Sequence, residues 1–311
     1  SSAASDVYKR QDRADRKGDA AMKTQRIFER ELNACFQTFY GYAFATFVLL
    51  TAGIYTVLSC LQGGSADFTQ VPRSMTFTFL IAIPILTMRT FAEERRQKTE
   101  LLLYALPVRI SQIVAGKFLG LCGEISLPVL IMALYPPLLR LYGNVDLPAA
   151  YCALIGFYLL GISLASIGLF LSAQTDSQAT AAGMSFAATL LLFFLSTLAK
   201  LVSNSSSATL AAAAILLLLP AGALYAMTKS WRACACCAAV LETANAVCYF
   251  LLPERFSGGF PALMRRLSVF DRYYVFLDGI FDWTGVCYLL SVTVFFLLLT
   301  VLSLEKRRWS E

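Results

Sequence analysis

The 311-residue sequence contains no histidine. Within these residues, that rules out Ser-His-Asp triads, H-E-x-x-H zinc sites and His-ligated haem. Charge is scarce too: Asp, Glu, Lys and Arg make up 15% of the chain against 58% apolar residues, and the mean hydropathy is +0.63. A soluble domain usually holds about 45–50% apolar and about 25% charged residues. The balance here points to one membrane domain that crosses the bilayer several times. A phosphate-binding loop is also missing. G-x-x-x-x-G-K-[ST] needs glycine amides to cradle phosphates and a hydroxyl to hold Mg²⁺. At Gly116-Lys117, the nearest approach, Ser111 stands where the first glycine belongs and Phe118 where the hydroxyl belongs. The net charge of +6 is modest and gathers at the ends and in one loop, which points to membrane orientation and away from nucleic acid.

What the chain has instead is a series of apolar runs, each near the ~20 residues a bilayer requires. They cover about 41–61, 74–88 (unusually short), 110–138, 149–173, 179–202, 209–228, 233–252 and 285–304. The third carries Pro128, Pro136 and Pro137, so it should kink and end near Leu138. The seventh is weaker because Glu242 and Asn245 sit inside it. Basic residues alternate across the connections as eight spans with both ends inside would require. Lys23, Arg26 and Arg30 precede the first span; Arg89, Arg95, Arg96, Lys98, Arg109 and Lys117 fill one loop; Lys229 and Arg232 lie in a short turn; Lys306, Arg307 and Arg308 close the chain. Arg255, Arg265, Arg266 and Arg272 break the pattern in 253–284.

Residues 1–21 carry five basic and four acidic side chains with no apolar period, and read as a disordered tail or an assembly remnant. Met22-Lys23 looks like a natural start with no signal peptide before it, leaving 22–311 as a single membrane domain. Phe28, Leu32, Phe36 and Phe39 share one face of an amphipathic stretch, with Glu29, Arg30, Asn33 and Gln37 opposite. That spacing predicts a helix lying in the membrane interface; the alternative is a simple extension of the first span. Leu263, Leu267, Phe270, Tyr274, Leu277 and Phe281 predict a second amphipathic helix before the last span. Of nine cysteines, most lie in apolar runs, where they act as small hydrophobes. Cys234, Cys236 and Cys237 could form a copper(I) or zinc thiolate site, but no further ligands stand near them in sequence, so the packing reading is favoured.

The most informative stretch is Thr87–Lys117. Thr90 and Glu93 have capping-box spacing, Glu94 precedes Lys98 by four residues, and Arg96 precedes Glu100 by four. Leu101, Leu102, Leu103 and Leu106 follow, then Pro107. The pattern predicts a helix of roughly 14 to 16 residues, charged at one end and apolar at the other, about 21 to 24 Å long. A solvated connecting loop with incidental charge pairs is the competing reading.

Pro84, Leu86, Thr87, Met88, Arg89, Ala92, Glu93, Glu94, Arg95, Arg96, Thr99, Glu100, Leu101 to Leu103, Leu106 to Val108 and Gly116 to Phe118 together resemble the cytoplasmic loop of ABC-2 type transporter permeases, in the gliding-motility and copper-enzyme-maturation branch. Arg30-Glu31-Leu32, the run Leu267 to Arg272, and Leu304 to Trp309 fit the same pattern. The resemblance implies an all-α polytopic transmembrane bundle: a six-span core plus a helical hairpin insertion at 205–252. It implies a cytoplasmic coupling helix in which Arg89, Glu93, Glu94, Arg95, Arg96, Thr99 and Glu100 meet a separate ATPase subunit, flanked by the interfacial helix at Phe28–Phe39. ATP and Mg²⁺ then belong to that partner and not to this chain, which is not itself an enzyme. A second permease copy or a related permease completes the assembly, an exporter in a bacterial cytoplasmic membrane.

Ionisable residues inside spans are the usual pointers to a transport path. Glu124 lies about two turns into the third span; it either lines a cavity or pairs with an arginine, or it sits near the inner interface and snorkels. Glu242, in the insertion, reads as structural. Two other classes remain open: an ion-coupled carrier, which would want midplane charges and internal repeats, and a non-transporting scaffold of an envelope or motility machine.

Overall fold

In hydrocarbon, a backbone must satisfy its own amides, so apolar runs of this length fold as helices. The computed structural model describes residues 39–62, 67–98, 110–201, 243 and 266–308, and every regular element among them is helical. In chain order these are α1 (Phe39–Thr56, continued by a π-helical turn Val57–Gln62), α2 (Gln70–Thr87), α3 (Ala92–Arg96), α4 (Ile110–Met132), α5 (Tyr135–Arg140), α6 (Leu147–Gln174), α7 (Gln178–Leu201), α8 (Val269–Leu277) and α9 (Trp283–Arg308). Among the described residues six helical segments are long and apolar enough to cross a membrane. They coincide with six of the eight expected runs. The other two, together with Cys234, Cys236, Cys237 and Glu242, lie outside the described residues, as do Phe28, Leu32 and Phe36. Phe39, expected on the in-plane helix, is the first residue of α1 and continuous with the first span.

The chain divides into two units, residues 1–190 with 272–311, and residues 191–271. In the second, Phe193 meets Phe270 edge-on at 5.3 Å.

In the first unit, α6 and α2 are the inner helices: 67% and 61% of their most apolar stretches are buried, against 33% or less for the other spans. Helix association in lipid relies on close packing and interhelical hydrogen bonds, so small residues favour it. α6 is rich in them. A Cβ at Gly156 would lie 2.6 Å from Cβ of Phe276 on α8, and one at Gly168 would lie 2.2 Å from Oγ1 of Thr87 on α2. Both crossings therefore need glycine. Phe79 and Phe157 stack at 3.9 Å. Ser163 donates to the carbonyl of Leu289 at 3.0 Å, tying α6 to α9.

Local sequence explains the helix starts. Asp146 accepts the Ala149 amide and caps α6, with proline in the first turn. Asp282 accepts the Thr284 hydroxyl and amide and the Gly285 amide at the start of α9, and these bonds hold its carboxyl below its ordinary pKa. The second span is not short. Asp67 takes the Thr69 amide and hydroxyl, and the turn it makes starts α2 at Gln70, giving 18 residues. The third span breaks ahead of Pro136 and Pro137, not at Pro128, which lies inside α4: α4 ends at Met132, and α5 begins again with proline in its first turn and runs to Arg140.

α8 corrects the expected face of the second amphipathic stretch. Phe270 and Leu277 are buried as expected, but Leu267 and Phe281 are exposed, while Tyr273 and Phe276 are fully buried. Tyr273 donates its hydroxyl to the carbonyl of Pro72 at 2.9 Å, and Arg73 pairs with Asp278 at 2.9 Å. The helix is short because Gly279, at φ +76°, turns the chain toward α9.

Candidate functional site

The charged stretch lies where α2 leaves the bundle and α4 returns to it. Its helix is a single turn, not the 14 to 16 residues expected. α3 spans Ala92–Arg96, and Lys98 at φ +56° turns the chain out of helical geometry. Thr99, Glu100 and the leucines that follow lie outside the described residues. The expected capping box does not form either. Phe91, not Thr90, occupies the N-cap and makes no side-chain cap. The cap comes from another helix. The Ser172 hydroxyl on α6 lies 3.2 Å from the amide nitrogens of both Phe91 and Ala92, and also 3.2 Å from the Met88 carbonyl. A side-chain cap of this kind typically contributes about 1 kcal/mol.

The charges pair differently from the i, i+4 pattern. Glu93 does bond within the turn, to Arg89 one turn earlier. Glu94 instead reaches Lys117 on α4 at 2.7 Å. Lys117 also donates to the Thr90 carbonyl at 2.9 Å and lies 5.2 Å from the centre of the Phe91 ring. Its side chain is 1% exposed. A lysine so deeply placed must have each of its polar contacts made by protein.

Arg95 points away from solvent to the end of α6. It donates to the carbonyls of Ala173 at 2.9 Å and Thr175 at 3.1 Å, and pairs with Asp176 at 3.1 Å. The last carbonyls of a helix lack intrahelical partners, and a cation there suits the helix dipole. Arg307 on α9 approaches the same helix end, donating to the Gln174 carbonyl at 3.2 Å with its guanidinium 3.5 Å from Asp176. Gln174 in turn donates to the Ser303 hydroxyl at 2.9 Å. Phe91, Val114, Leu169 and Leu304 share one buried apolar cluster just inside this ring of charge.

A cavity of about 460 Å³ opens beside the turn. Phe44, Phe47, Ile85, Leu86 and Leu121 form its apolar wall, and Arg89, Glu93, Glu94, Lys117 and Glu124 its charged lining. Glu124 is half-buried and is among the residues lining that space.

Of the expected contact residues, then, Arg89, Glu93, Glu94 and Arg95 are engaged within the chain, and Arg96 is exposed beside Gln97 and Lys98. Ser172, Gln174 and Asp176 had no local signal. Lys117 and Arg307 were visible only as parts of a motif and a basic tail, because their partners are 23 and 131 residues away.

Residues 62–302 match a family model described as ABC-2 family transporter protein. No curated protein matches the sequence.

Proposed function

Since this chain belongs to the ABC-2 family of transporter proteins, we propose that it is the permease of an ABC exporter in a bacterial cytoplasmic membrane, driven by a separate ATPase subunit that docks on the turn at 92–98. The observation that carries this reading is the seating of α3. A one-turn helix exposing Arg96, Gln97 and Lys98 is fastened on its other sides to α4 by Glu94–Lys117 and to α6 by Ser172 and Arg95. A partner pressing on the exposed tip would move spans instead of deforming a loop. In this reading Arg96, with Thr99 and Glu100 beyond it, makes the contact, while Arg89, Glu93, Glu94 and Arg95 hold the tip in place. The interfacial helix at Phe28–Phe39 flanks the same partner.

The likeness of 84–118 to gliding-motility and copper-enzyme-maturation permeases favours that branch. A second permease copy or a related permease completes the assembly, with both termini cytoplasmic and 205–252 adding a pair of helices to the six-span core. ATP and Mg²⁺ sit on the partner, in keeping with the missing phosphate-binding loop.

Extracted from its own membrane in mild detergent, the chain should bring down a subunit that hydrolyses ATP. Freed of that subunit it should hydrolyse none, and turnover by the chain alone would overturn this division of labour.

The cavity beside α3 is the proposed start of the transport path, with Glu124 in its lining. Glu124→Gln should leave the ATPase bound and its basal turnover intact while abolishing stimulation of turnover by transported substrate. Stimulation and export equal to wild type would remove Glu124 from the path.

A further inference from the structure

We infer that force applied to α3 is delivered to the pair α6–α9 through a joint made by Arg95, Asp176 and Arg307, and that Arg307 is a positioning residue for transport. The inference rests on the reading that a partner subunit presses on α3, and goes beyond it by naming the spans that are driven.

Chain order would suggest that α3 moves α2 and α4, its neighbours in sequence. One bond does run to α4, from Lys117 to Glu94, but the others run to α6. The N-terminal amides of α3 are held by Ser172 of α6, and Arg95 of α3 is held by two carbonyls at the end of α6. Each helix thus supplies the missing partners of the other's end. With 10% of its side chain exposed, Arg95 has little solvent to compete for it. Arg307 makes the matching contact from α9, so two arginines from two helices converge on one helix end and one carboxylate, Asp176 Oδ1. Bonds to the carbonyls fix where each guanidinium sits, and the shared carboxylate links one to the other.

α6 and α9 are joined along their length as well, by Ser163 to the Leu289 carbonyl and by the Phe170–Phe296 ring contact at 5.9 Å. At the charged end, Leu304 of α9 is buried in the same cluster as Phe91, the residue that starts α3. A displacement of α3 therefore meets α9 both through packing and through the arginine pair. Asp176 is 76% exposed, and an ion pair so exposed adds little to stability. That separates a transmitting role from a merely structural one: removing the joint should leave the fold and the partner contact in place.

Hydrogen exchange in the permease–ATPase complex, with and without a non-hydrolysable ATP analogue, tests this. In the wild type, the analogue should change exchange at both 92–98 and 302–308. In Arg307→Gln, the response at 92–98 should persist and that at 302–308 should fall to what the packing of Leu304 against Phe91 alone transmits, with ATP turnover within roughly twofold of wild type because the partner contact is untouched. Arg307→Lys, which keeps a cation at the helix end, should recover part of the lost response. Should Arg307→Gln fail to assemble, Asp176→Ala keeps the arginine–carbonyl bonds and carries the same prediction. A response at 302–308 equal to wild type in whichever variant assembles overturns the joint. A wild-type response confined to 92–98 overturns the joint and leaves the docking reading standing. No response at either segment overturns both.

Discussion

Lys117→Met should unseat the turn at 92–98 while leaving the spans in place. Methionine keeps most of the side-chain volume and loses the charge. Glu94 then loses an ammonium at 2.7 Å, the Thr90 carbonyl loses its donor at 2.9 Å, and the Phe91 ring loses its cation. Removing one partner of a buried pair costs about 3–5 kcal/mol, and the 22% exposure of Glu94 puts this case near the lower end. The loss is local, since the Thr90 carbonyl and Glu94 that Lys117 bonds both belong to the charged turn. Trypsin should cut after Arg95, Arg96 or Lys98 at least tenfold faster in the variant, because an opening equilibrium shifts tenfold per ~1.4 kcal/mol. The melting temperature should fall by only a few degrees. Unchanged cleavage would mean that the pair does not seat the turn. A Lys117→Met/Glu94→Gln double variant should recover part of the loss, because it leaves no carboxylate without its lysine.

Gly168→Val should have a larger and global effect. A Cβ at this position would lie 2.2 Å from Oγ1 and 2.8 Å from Cβ of Thr87, where two buried helices cross. Thr87 cannot swing aside freely: it is fully buried and its hydroxyl donates to the Ile83 carbonyl at 3.0 Å. Overpacking typically costs about 1–3 kcal/mol, and a contact that pushes helix against helix should reach at least the upper figure. Thermal unfolding in detergent should show it. Gly168→Ala should be milder, and Thr87→Ala should relieve part of that loss by removing the closest atom. Simple additivity of Gly168→Ala and Thr87→Ala would contradict the contact.

The spans were legible because their signal is local: runs of apolar residues of membrane-crossing length. The second span's start slipped because a side chain sets it, as Asp67 does before α2. The charged turn was legible as a place and not as a shape. Spacing along the chain can propose Glu94 with Lys98, but it has no access to Lys117 across the fold, nor to Ser172, which caps α3 from 80 residues away. The length of α3 failed for the same reason, since helical periodicity does not register a backbone reversal at a lysine. The inner position of α6 does leave a trace in the sequence: Gly156, Gly161, Ser163, Gly168 and Ser172 lie along one apolar run, and small residues mark helices that others approach closely. The joint at Asp176 left none. A lone carboxylate between two apolar runs looks like any turn, and only the fold brings Arg95 and Arg307 to it.

A separate ATPase that docks on the exposed tip of this turn should depend on the cations there. The direct measurement is copurification from the native membrane, comparing the wild type with Arg96→Glu/Lys98→Glu, which reverses the two exposed cations and leaves the Arg89–Glu93, Glu94–Lys117 and Arg95–Asp176 pairs in place. An ATP-hydrolysing subunit should come down with the wild type and be lost with the variant, at equal amounts of folded permease. An ATPase retained in full by the variant would contradict the docking site, and a wild type that brings down no ATPase would contradict the account as a whole.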